Sequence, residues 1–282
     1  MFKKLEEVKE LKLKANEVRQ ELIKMLAEAG SGHTAGPLGI ADILTVLYFN
    51  VLEHDSKNPL WEGRDRFILS NGHCVPARYA VMALAGYFPT TELKTLRKFG
   101  SRLQGHPDRI VLPALEASTG SLGQGICMAA GMALAAKLNG QMHKIYCMIS
   151  DGELDEGSTW EALNACHRFK LNNLIILVDR NNIQISGRTE EVWPLEPMKE
   201  KLEAFNLQVY EVDGHSIPGL IHLLNRARNR EKTQVIICKN TPGKGVSFCQ
   251  NYTWHGKTPT KEEAKLALHE LEEERKKILK EN

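Results

Sequence analysis

Apolar residues at Leu11, Ala15, Val18, Leu22 and Leu26 recur every three or four positions, which predicts an amphipathic helix over roughly the first thirty residues. The run 38–52, LGIADILTVLYFNVL, is apolar nearly all round and reads as a buried helix. RFILS, 66–70, has the composition of a short strand, and 123–138, GQGICMAAGMALAAKL, that of a helix opened by glycines. Strand 145–150, helix 157–168 and strand 174–179 follow. LQVYEV and TQVIIC are two further strands enclosing helix 216–229, and the charged tail 260–280 is helical. Short strands alternating with helices predict an α/β fold, a parallel sheet flanked by helices on both faces. No repeat, low-complexity segment or linker interrupts the pattern, so 1–282 reads as a single domain.

Composition narrows the function classes. Hydrophobic residues make up 42% and charged residues 26%, ordinary globular usage, and a net charge of +2 gives no cause to expect nucleic acid or an anionic membrane. The six cysteines are scattered without a CxxC pair, which argues against zinc and dithiol redox chemistry and for reduced, mostly buried thiols. MFKKLEEVKE lacks the apolar core of a signal peptide, and ICMAAGMALAA is too short to span a bilayer. A cytoplasmic protein is the expectation.

Candidate chemistry begins at SDGELDEG, 150–157, four carboxylates in eight residues straight after an apolar strand. In an open parallel sheet, ligands bind beyond the carboxyl ends of the strands. Strand 145–150 ends at Asp151, and strand 174–179 runs into DRNNIQISG. If the two strands are neighbours, Asp151 and Asn181 emerge side by side. A carboxylate and an amide oxygen are hard ligands suited to magnesium or calcium, with the other positions filled by backbone carbonyls, water and a ligand's phosphates. Gly152 would let those phosphates approach the backbone. Acidic loops after strands also cap the next helix, and Glu153 and Asp155 suit that role alone.

Five of the ten histidines adjoin a glycine: His33, His73, His106, His215 and His255. Such loops bring backbone near a ligand, and a neutral imidazole there can bond sugar hydroxyls or relay protons. His54, His143, His167, His222 and His269 lack that context and read as ordinary loop or core residues.

An ordered set of motifs then carries a family resemblance: SGHTAGPLGIADIL, DRFILSNGH, GHPD, STGSLGQGI, SDGELDEG, DRNNIQISG, DGHS, and TPGKGVSF followed by WHG. The chain resembles the N-terminal, diphosphate-binding part of transketolase, a thiamine diphosphate enzyme. The resemblance implies that Asp151, the Asn181 side chain and the Ile183 carbonyl bind the metal, Mg2+ or Ca2+. Gly152, His73 and His255 then lie near the cofactor diphosphate, Gly120 and Leu122 at its aminopyrimidine, and Ile185 on its thiazolium. His33, His106 and His255 are implied to surround the substrate, with His73 close by, and Glu156 to sit in a carboxylate relay at the subunit interface. The implied reaction is reversible transfer of a two-carbon ketol unit from a ketose phosphate to an aldose phosphate.

The resemblance further implies a split enzyme. The pyrimidine-binding and C-terminal domains, an activating glutamate and the basic residues that grip the sugar phosphate would lie on a partner chain. A two-fold assembly of two copies of each chain would follow. Three positions depart from the family pattern: Ser150 in place of glycine, Thr34 in place of the commoner proline after His33, and Pro242 where relatives often carry lysine. Two alternatives stand beside ketol transfer between common sugars. One is another thiamine-dependent reaction, such as 1-deoxyxylulose-5-phosphate synthesis or transfer to an unusual sugar. The other is a non-catalytic cofactor-binding relative.

Overall fold

In the computed structural model, which describes residues 4–228 and 230–281, five strands form one all-parallel sheet. They are β1 (Arg66–Leu69), β2 (Ile145–Ser150), β3 (Leu174–Arg180), β4 (Gln208–Asp213) and β5 (Gln234–Lys239), arranged β1-β2-β3-β5-β4. Ten α-helices accompany them: α1 (Val8–Ala29), α2 (Ala35–Gly39), α3 (Ala41–Val46), α4 (Val75–Leu84), α5 (Gln124–Leu138), α6 (Gly157–Phe169), α7 (Thr189–Val192), α8 (Met198–Ala204), α9 (Ile217–Ala227) and α10 (Lys261–Lys280). The expected parallel sheet with helices on both faces is therefore present.

The strands are apolar without alternation because both of their faces are covered. Tyr146 and Met148 of β2, with Ile175 and Leu177 of β3, pack into a core shared with α1, α3, α4 and α9. Ile145, Cys147 and Ile149, with Ile176 and Val178, face the opposite way into a core shared with α5, α6 and α8. Every residue of β2 and β3 is buried, so truncation of a central one such as Ile176 to alanine costs about 2–5 kcal/mol.

Local signals set the helix ends. Gly30 closes α1 in the left-handed region at φ 65°, its amide donating to Leu26 O. Thr260 and Glu263 form a reciprocal capping box at the start of α10. The run 38–52 departs from the single helix expected. It divides into α2 and α3 at Ile40 (φ −89°, ψ 1°) and widens into a π-helical turn, Leu47–Val51. Its near-complete burial is as expected, because packing on all sides and not helical continuity is what an all-round apolar pattern encodes. The helix expected over 216–229 spans Ile217–Ala227, and Asn229 lies outside the described residues. Helices α4, α7 and α8 are additional to the elements that the hydrophobic pattern predicts. Among the described residues, no helix is long and apolar enough to cross a membrane.

Candidate active site

β2 and β3 are hydrogen-bonded neighbours, with Ser150 paired to Asp179. Asp151, just beyond β2, and Asn181, just beyond β3, therefore leave the sheet side by side at its carboxyl edge, and the Asp151 amide donates to Asp179 O at 3.2 Å. β1 ends beside β2 and delivers Asn71, Gly72 and His73 to the same edge. The cleft above this edge has a volume of about 390 Å³. His33, His73, His255, Gly120, Leu122, Gly152, Asn181, Ile183 and Ile185 line it, nine residues that the sequence nominated. Ser150, Gln184 and Ser186 complete the lining.

Three histidines from distant parts of the chain form a triangle. The ring centroids of His33 and His73 lie 5.0 Å apart, those of His73 and His255 5.0 Å, and those of His33 and His255 5.4 Å. The His106 ring packs directly against Gly120. Gly120 has φ 151°, and a Cβ there would lie 3.0 Å from the His106 ring, so a larger residue would be strained in its backbone and would crowd the ring. Burial, followed by the proximity of His255, Arg97 and His106, drives His33 down to about 4. Burial and its three histidine neighbours hold His73 well below the usual imidazole range. Burial lowers His106, with Arg97 adding to it, and burial lowers His255. At neutral pH the four rings are uncharged, each with a nitrogen able to donate and one able to accept.

Asp151 is fully buried behind the cleft. Its Oδ1 accepts from Gly152 N at 2.9 Å, and its Oδ2 from Asn182 N at 2.8 Å and Arg180 Nη1 at 3.2 Å. Burial outweighs these partners and pushes its carboxyl up to about 6. Asn181 is oriented from below. Its Nδ2 donates to Asp179 Oδ2 at 2.8 Å, which leaves Oδ1 on the side of Ile183, whose amide it accepts at 3.0 Å. Asp179 is itself held by Asn240 Nδ2 at 2.5 Å. One buried carboxylate, one oriented amide oxygen and the backbone of Ile183 make a hard-oxygen set that fits a magnesium- or calcium-type cation.

Glu153 overturns the reading of it as a solvated cap. Its side chain is buried and accepts from Ser70 Oγ, from Gly123 N at 2.8 Å and from Ser150 N at 3.4 Å. It thereby ties the ends of β1 and β2 to the loop carrying Gly120, and burial raises its carboxyl to about 7. A carboxylate three residues after a strand looks the same in sequence whether it turns out or in. Asp155 stays exposed and accepts from Gln184 Nε2 at 2.7 Å. Glu156 is exposed at the N-terminus of α6 and lies outside the cleft lining. His215 also lies elsewhere. Its Nδ1 bonds Asp42 Oδ2 at 2.8 Å, and its Nε2 accepts from Thr241 N at 2.8 Å. Asp42 in turn pairs with the buried Arg19 at 2.5 Å. The glycine beside His215 thus marks a structural anchor for the segment after β5, where Gly243 N donates to Ala35 O at 2.8 Å.

A doubly covered parallel sheet with a cation-compatible acidic edge and a roof of neutral histidines describes a cofactor-diphosphate domain. Residues 11–277 match the family described as transketolase, thiamine diphosphate binding domain, and the chain belongs to that family. It is 40% identical over 267 residues to an apulose-4-phosphate transketolase subunit of Actinobacillus succinogenes, covering 94% of this chain and 97% of the relative. It is 39% identical, at the same coverages, to the 6-deoxy-6-sulfo-D-fructose transketolase subunit SqwG of a Clostridium species. The crystal structure of transketolase from Campylobacter jejuni superposes with a TM-score of 0.89 at 34% identity. That match covers 95% of this chain but 43% of the other, so the chain spans under half the length of that transketolase.

Proposed function

We propose that this chain is the diphosphate-binding subunit of a two-subunit transketolase, with residues 1–282 forming one domain of the active site. The observation that carries this reading is the meeting of the His33–His73–His255 triangle with Asp151 and Asn181 over one strand edge. Thiamine diphosphate, when bound, supplies the electron sink for carbon–carbon bond cleavage. Asp151, Asn181 Oδ1 and the Ile183 carbonyl would hold the cation that neutralises its diphosphate, with Gly152 giving close backbone approach. Leu122 and Gly120 would flank one ring of the cofactor and Ile185 the other. His33, His106 and His255 would bond the substrate hydroxyls and move protons at them, with His73 between substrate and diphosphate. Their uncharged state suits both tasks, since a neutral ring both donates and accepts. Glu156, exposed on α6, is available to a second subunit.

The relatives that match this chain nearly end to end are themselves named as transketolase subunits acting on apulose 4-phosphate or 6-deoxy-6-sulfo-D-fructose. This supports a partner carrying the pyrimidine-binding and C-terminal domains, and an unusual sugar as substrate. The exposed, mostly small or apolar face of α5, including Cys127, Met128, Gly131 and Leu138, supports a protein partner there. Two copies of each subunit related by two-fold symmetry would make the complete enzyme. The deciding experiment is a ketol-transfer assay with thiamine diphosphate and magnesium, run on this chain alone and after mixing with the candidate partner. Activity is expected only in the mixture. Full turnover by rigorously partner-free chain refutes the split enzyme, and no turnover by the mixture with any ketose phosphate or with 6-deoxy-6-sulfo-D-fructose refutes the transferase.

A further inference from the structure

Arg97 lies beside the histidine cluster and has no part in the function proposed above. It follows the turn Thr90–Thr95 in the loop leading to His106. Its backbone is left-handed, φ 59°, and its amide donates to Leu103 O at 2.9 Å, closing the loop that immediately precedes Gly105 and His106. The guanidinium sits against the two glycines that precede site histidines. A Cβ on Gly105 would lie 2.8 Å from Arg97 Cζ and Nε, and one on Gly32 would lie 4.0 Å from Nε. The side chain is thus directed toward His33 and His106. After burial, its charge is among the causes that keep both rings neutral.

Neighbouring cations are neutralised and this one is not. Lys98 pairs with Glu28 at 2.7 Å, and Arg102 with Glu92 at 2.6 Å. Among the described residues no carboxylate pairs with Arg97, and its side-chain hydrogen bond is a long one, Nη2 to Gly105 O at 3.4 Å. An exposed arginine is ordinarily a solvated surface group. Here the backbone turn and the two glycines hold the guanidinium next to imidazoles, where, among the described residues, no carboxylate balances its charge. An anion placed there by a ligand removes that imbalance, and the planar fork of donors matches a tetrahedral oxyanion.

We propose that Arg97 is a substrate-binding residue that recognises the terminal tetrahedral anion, phosphate or sulfonate, of the sugar. The proposal rests on the ketol-transfer reading and gives this chain a share in anion recognition that the family resemblance assigns wholly to a partner. The test is a matched pair of acceptors, D-erythrose 4-phosphate and D-erythrose, supplied to the assembled two-subunit enzyme. Arg97→Ala is expected to lower kcat/KM for the phosphate by about tenfold or more and to leave that for erythrose within about twofold, with Arg97→Lys recovering part of the loss. Equal losses on both sugars, or none on the phosphate, overturn the proposal. If wild-type enzyme turns over neither sugar, it is ketol transfer to common aldoses that fails, not the Arg97 contact. Ligand-observed NMR with the same pair then decides on Arg97. A preference for the phosphate that disappears in Arg97→Ala supports the contact, and no preference, or one the substitution leaves unchanged, overturns it.

Discussion

The Thr34 hydroxyl donates to the backbone carbonyl of Lys257 at 2.6 Å, joining the residue after His33 to the segment just beyond His255. Thr34 is fully buried, and a proline at this position has no hydroxyl with which to make the bond. The departure from the family pattern at this position therefore brings a tether between two loops whose histidine rings lie 5.4 Å apart. Replacing Thr34 by valine keeps the shape and removes the donor from the part-buried Lys257 carbonyl, a loss of about 0.5–1.5 kcal/mol. Denaturant unfolding should read that loss. The kcat/KM of the assembled enzyme should fall by about tenfold, and Thr34→Ser should restore both.

Asp151 offers the only carboxylate in the proposed metal set, and Arg180 Nη1 is the cation now nearest to it, at 3.2 Å. Asp151→Ala is expected to abolish magnesium-dependent binding of thiamine diphosphate, because the cation bridges protein to a polyanion. Calorimetry on the assembled enzyme, with and without chelator, checks this, and an affinity unchanged by either the substitution or the chelator would refute the assignment.

His106→Ala and His255→Ala should each slow ketol transfer by about 10²–10⁴, the range for a positioned acid–base or hydroxyl-binding group. His167, exposed on α6 with Asn206 Nδ2 at 3.5 Å, serves as the control and should change the rate by less than about twofold. Equal losses in all three variants, with falling melting temperatures, would point to unfolding and not chemistry.

His33 gives a pH signature with a definite sign. Its ring titrates near 4 in the folded chain against an ordinary value of 6.5, so between those values the unfolded chain binds more protons. Its contribution to stability is complete above about pH 6.5, declines as pH falls toward 4, and does not change further below that. Asp151, Glu153 and Asp179, all raised by burial, act in the opposite direction over part of this window. The measurement is therefore a difference. Wild type minus His33→Gln should lose about 1–2 kcal/mol between pH 6.5 and 4, after allowance for solvent screening of a partly accessible ring. A flat difference would show that the ring is not held neutral.

The sheet was legible along the chain because buried parallel strands are short continuous apolar runs, and helix α10 because its stripe and its Thr260–Glu263 box are local. Asp151 and Asn181 could be placed together once β2 and β3 were read as neighbours, since a crossover of one helix length leaves few other arrangements. Glycine-flanked loops singled out His33, His73, His106 and His255. The same signal also selected His215, which folds away to Asp42 and Thr241. Local sequence carries φ preferences and periodicity, not the direction in which a polar side chain turns once loops pack together. Tertiary packing alone decided that Glu153 turns inward to Ser70 and Gly123, that Asp179 orients Asn181, and that Arg97 lies between Gly32 and Gly105. Glu153 reaches residues distant in the chain, and Asp179 is held against Asn181 by the equally distant Asn240; in such buried contacts the cost of an unpartnered polar group selects the arrangement.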